Sequence, residues 1–160
     1  MKKPQISEEE KRQVNDILRE KTMRELEKRW ANNDVELIGR VLRCHLALEY
    51  CMFRWLKFTA PKLDFESSRL SFFQKFEIFS KSIKDPLLCG GIRDVNMLRN
   101  QVAHTFHDPF ADISIPQIDK LCSYIYRSPR PQGIVAVEVF TRHACGWLEG
   151  RMTAHISDLK

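Results

Sequence analysis

A chain of 160 residues with 43% hydrophobic side chains and ten phenylalanines can bury one core without disulfides or metals, so it is neither disordered nor in need of a second domain. Its formal net charge of +5 and pI near 9.0 suit a polyanion such as RNA without demanding one. No apolar run reaches the roughly 18 residues that cross a bilayer, the N-terminus has no apolar signal core, and five cysteines occur without a Cys-x-x-Cys pair. These features predict a protein of the reducing cytoplasm with no membrane association.

Ser7 followed by Glu10 has the pattern of a capping box and opens a charged amphipathic helix over about residues 8–32, with Val14, Ile17, Leu18, Leu26 and Trp30 among alternating acids and bases. Asn33 and Glu36 repeat the signal for a second helix whose apolar residues, from Leu37 to Leu56, occupy more than one side. Such a helix belongs at the centre of a bundle. Pro61 stops it and a polar loop follows to Ser68. Phe72, Phe76, Phe79 and Ile83 recur at helical spacing and predict an aromatic stripe on the core. Asp85, Pro86, Gly90 and Gly91 read as a break, with the next helix starting near Ile92 and ending before Pro109. Pro116 suits the first turn of a short helix to about Tyr126, and Pro129 and Pro131 mark a loop. The last segment is rich in β-branched residues from Ile134, yet Ala144, Trp147, Leu148 and Met152 keep helical spacing and no other segment supplies a partner strand. The reading is therefore a single all-α domain over residues 1–160, with about five to six helices.

The residues equipped for chemistry lie between Leu98 and Phe106. At about 100° per residue, Val95, Leu98, Val102 and Phe106 share one arc, while Asn96, Asn100, His104 and His107 lie opposite. Arg99 supplies a permanent planar cation that matches phosphate oxygens, and His104 supplies the side chain that titrates nearest neutrality. On one regular helix they diverge by about 140°. Acting on one phosphate then calls for a long Arg reaching around, a distorted helix or a second copy of the helix, and the last of these points to a dimer with a shared cleft.

Arg99-Asn100-x-x-x-His104, with Leu98 before it and Phe106 after it, resembles the signature of the HEPN superfamily, the higher eukaryotes and prokaryotes nucleotide-binding domain. Cys44-His45-Leu46-Ala47-Leu48-Glu49-Tyr50 is similar to that family's second-helix pattern with its acidic residue. Leu70-Ser71-Phe72-Phe73-Gln74-Lys75-Phe76 is similar to a segment of the mannitol-repressor branch. The resemblance covers about residues 35–107. It implies an up-down helical bundle that forms a homodimer with its two motif helices close together, and a metal-independent endoribonuclease in catalytic members, of the toxin, defence or RNA-processing kind. In this chain His104 would move the protons, Arg99 would hold the phosphate, and Asn100 would position either one. Glu49 would orient Arg99, with His45 beside it and His107 in support. The products would be a 2′,3′-cyclic phosphate and a 5′-hydroxyl.

Other members of the superfamily are binding or regulatory modules, which keeps open a non-enzymatic, mannitol-repressor-like protein with a cognate antitoxin or regulatory partner. His104, His107 and Asp108 also invite a metal reading, but no nearby Cys or third His completes a ligand set. Neither a metal nor another cofactor is expected.

Overall fold

The computed structural model describes residues 8–31, 35–66, 68–104 and 114–157. Among them the chain forms six α-helices and no strand: α1 (Glu8–Ala31), α2 (Val35–Thr59), α3 (Phe72–Ile83), α4 (Pro86–His104), α5 (Pro116–Ile125) and α6 (Gly133–Ser157). None of these helices is long and apolar enough to cross a membrane. The capping residues expected at Ser7 and Asn33 lie outside the described residues.

α2 is the central element, because Val41, Leu48, Met52 and Leu56 are buried on one side while Cys44 and Cys51 are buried on another. It packs against α3, α4 and α6. Two ion pairs fix its register with α6: Arg40 donates both Nε and Nη2 to the Glu138 carboxylate at 2.8 and 2.9 Å, and Arg54 pairs with Glu149. Partners rise together along both helices, so α2 and α6 run in the same direction.

α6 is helical throughout, as the spacing of its later half predicts. Ala136, Phe140, Ala144, Leu148 and Met152 form one buried row four residues apart, and burial of that row outweighs the local preference of Ile134, Val135, Val137 and Val139 for a strand. The aromatic stripe of α3 also lies where expected, with Phe76 and Phe79 buried. Ser71 caps that helix: its Oγ accepts from the Gln74 amide, and Gln74 Oε1 accepts from the Ser71 amide.

Two expectations need correcting. Gly90 and Gly91 do not break the chain before the motif helix; they lie inside α4, which begins at Pro86, not near Ile92. Asp85 starts it, its Oδ1 accepting from the amides of Leu87 and Leu88 at 3.0 and 2.9 Å. The glycines serve packing. A methyl group on Gly91 would meet the Phe140 ring at 2.2 Å, and one on Gly90 would meet Gln117 at 2.4 Å, so their bareness lets α6 and α5 close on α4. The second correction concerns α1, whose apolar residues Val14, Ile17, Leu18 and Met23 are all exposed. Val14 and Met23 stand about 180° apart on a regular helix, so the apolar positions wind around α1 and make no continuous stripe.

Candidate functional site

The segments Cys44–Tyr50 and Leu70–Phe76 meet in space where α2 and α3 join, and α4 reaches the same junction through Asn96. His45, on α2, is buried, and its Nε2 lies 3.3 Å from Asn96 Oδ1 on α4. Since that oxygen can only accept, Nε2 carries the proton. The ring packs against Phe72 at the start of α3, centroids 4.6 Å apart. One turn along α2, Glu49 Oε1 accepts from Lys75 Nζ at 2.8 Å, with both side chains largely shielded. Phe72 and Lys75 belong to the Leu70–Phe76 string, and His45 and Glu49 to the Cys44–Tyr50 string, so each string secures the other.

Burial is the main reason that His45 is held below its ordinary pKa of 6.5. The Asn96 hydrogen bond and the negative charge of Glu49 oppose that shift, while the positive charge of Arg99 adds to it. His45 is thus a neutral, hydrogen-bonded joint between helices. Its partner is Asn96, where the sequence suggested Glu49.

Arg99 and Asn100 are exposed on α4, and Arg99 Nη1 donates to Asn100 Oδ1 at 3.1 Å. Among the described residues no carboxylate pairs with this guanidinium, which leaves its charge available to an anion. Glu49 was expected to orient Arg99; it is bound to Lys75 instead, and the neighbour that holds Arg99 is Asn100. His104 is the last residue of α4, but its side chain lies outside the described residues, as do His107 and Asp108. The metal reading of those three residues falls there too. A second cation of α4, Arg93, rests over the Phe76 ring at 5.1 Å.

Apolar side chains flank this polar cluster. Leu42, Leu46 and Tyr50 follow one another at four-residue spacing along the outer face of α2, and Leu46 is 64% exposed. Phe73 on α3 and Met97 on α4 are also exposed. Between α2 and the loop 60–71 runs an open groove of about 440 Å³, reached by Glu49 and Lys75 and walled in part by Leu46, Tyr50 and Phe53.

The sequence reading gave no role at this site to Asn96 or Lys75 and took Phe72 only as part of the core stripe of α3. For Asn96 a signal existed, because it shares the polar arc of Asn100. For Lys75 the only sign was its place in the quoted string, since pairing with Glu49 depends on how α3 crosses α2. Compared with known proteins, the chain matches no family model, no curated protein and no solved structure.

Proposed function

We propose that this protein is a HEPN-like RNA-associated protein that cuts RNA without a metal, using Arg99, Asn100 and His104 at a cleft between two copies of the chain. The observation that carries the reading is the exposed Arg99–Asn100 pair, next to a buried joint built from the other two strings of the resemblance. Asn100 preorients the guanidinium, which matches two phosphate oxygens and stabilises the charge that builds on a phosphorane. His104 takes the 2′-hydroxyl proton or returns one to the leaving 5′-oxygen. The exposed apolar row on α2, with Met97 beside it on α4, offers the surface on which two copies associate.

Purified protein incubated with mixed RNA in EDTA is expected to release fragments ending in a 2′,3′-cyclic phosphate. His104→Ala and Arg99→Ala should each slow cleavage by about 100-fold or more. Absence of cleavage by the native protein, or equal cleavage by the variants, overturns the catalytic reading.

A second reading, a non-enzymatic regulatory or protein-interaction module like the mannitol repressor, draws on the same apolar face. Leu42, Leu46, Tyr50 and Phe73 present it to a protein partner as readily as to a second copy. A stoichiometric protein complex that survives RNase and is lost in Leu46→Asp supports this reading, and recovery of RNA alone counts against it.

A further inference from the structure

At the far end of the bundle, α6 forms one wall of an open groove of about 560 Å³. Tyr126 and Trp147 line it with Arg142 and His143, and Gly146 lies on its floor. A narrower slot of about 180 Å³ adjoins it, between the start of α4, Leu121 of α5, and Phe140 and Ala144 of α6. His143 and Trp147 border both spaces. Leu88, in the slot, precedes Arg99 by eleven residues of α4, which is about 16 Å of helix. The two sites are separate.

The combined space is chemically lopsided. The slot is apolar apart from His143, the Trp147 indole N–H and Asp85, whose Oδ1 is engaged by two backbone amides while Oδ2 has no hydrogen bond among the described residues. The groove carries Arg142, and His143 Nδ1 lies 3.2 Å from the Val139 carbonyl oxygen, an acceptor to which it must donate. That bond orients the imidazole and leaves Nε2 as an acceptor in the neutral ring, so the anion donor of the groove is Arg142. The Trp147 indole is 38% exposed, with the Arg151 guanidinium 4.9 Å from its centre. A ligand that satisfies every part needs a flat ring with an amino donor for the slot and an anion for the groove.

We propose that this surface binds one nucleotide, its base in the slot beside Trp147 and its phosphate on Arg142. The slot holds about six times the volume that a water molecule occupies in the liquid, enough for one ring system and too little for a larger ligand. Stacking on an aromatic ring beside an arginine is how single-stranded nucleic acids are held without sequence reading. The nucleotide comes either free or as part of a single-stranded RNA. The proposal does not depend on cleavage at Arg99.

Titration calorimetry and tryptophan fluorescence with AMP, CMP and a 5′-phosphorylated six-nucleotide RNA test it. Gly146→Leu places a branched side chain in the groove from a position where an added Cβ meets nothing within 4 Å. Gly146→Leu and Arg142→Gln are each expected to weaken binding about tenfold or more, whereas Lys62→Ala, at an exposed position outside both spaces, binds like the native protein. Equal affinity for AMP and the RNA supports a free nucleotide as the source, and binding of the RNA alone supports a strand. No binding of any of the three ligands overturns the proposal. So does binding that both groove variants leave unchanged, or a groove that takes up an amphipathic peptide and no nucleotide.

Discussion

In its first ten residues α4 packs against α5 and α6 through Gly90, Gly91 and Asp94, with Pro86 and Arg93 exposed; from Asn96 onward its outer face carries Arg99 and Asn100 into solvent while Leu98 and Val102 stay buried. The first half is shaped by small size and by a cap. Gly90 and Gly91 let neighbouring helices approach, and Asp94, itself buried, accepts from the amides of Gln117 and Ile118 at 2.9 and 3.2 Å, which satisfies the first turn of α5. The second half is shaped by polarity. Asn96 ties it to His45, and Arg99 and Asn100 after it are exposed. One helix thus separates holding the fold from presenting charge, and the two tasks fail in different ways when mutated.

The largest expected effect is Gly91→Ala. Its new methyl group would sit 2.2 Å from the ring of Phe140, which is itself fully enclosed, so the packing must shift at a cost of about 1–3 kcal/mol in urea unfolding. Gly146→Ala, with open space around it, should be neutral or gain up to about 1 kcal/mol. Equal stability of the two variants would dissolve the contrast between closed and open helix faces.

Asp94→Ala comes next. Losing the cap strands the amides of Gln117 and Ile118 in partly buried surroundings and should cost about 1–3 kcal/mol, read as a lower midpoint of denaturation. Arg99→Ala, in the exposed half, should change stability by no more than about 0.5 kcal/mol. A large loss from Arg99→Ala would mean that the second half of α4 also holds the fold.

The smallest effect is a pH dependence at the junction of the halves. Burial keeps the folded pKa of His45 below 6.5, so the unfolded chain binds a proton first as pH falls. His45 should contribute full stability above pH 6.5 and lose it as pH drops from there through the folded value. Thermal unfolding from pH 7.5 to 5 tests this, with His45→Gln expected to show a shallower decline than the native protein. Identical slopes would remove His45 as a titrating joint. Asp94 works in the opposite direction, since burial raises its pKa despite the two amide bonds, and protonation at acid pH favours the fold.

Much of the helix order is visible in the sequence because it follows from local periodicity. The Phe72–Ile83 stripe, the Pro116 start of α5 and the apolar breadth of α2 each depend on residues within a few turns of one another. The Gly90–Gly91 reading failed for a nonlocal reason. A glycine pair beside a proline has the same local signature whether it ends a helix or makes room for one, and Phe140, about fifty residues away, decides which. In the candidate site, the exposure of Asn100 and the burial of Leu98 follow from helical angle. The partners of Glu49 and His45 do not, because Lys75 and Asn96 arrive on other helices.

By itself, then, the sequence determined the helices, the apolar stripes that hold them together, and the polar arc shared by Asn96 and Asn100, since all of these are set by the 3.6-residue period of one chain segment. Only the tertiary structure decided that α2 and α6 run in the same direction, that Gly91 is a contact point, that Glu49 holds Lys75, and that Trp147 and Arg142 share a groove. Those outcomes depend on crossing angles and on the size of side chains distant in sequence, which no local pattern encodes.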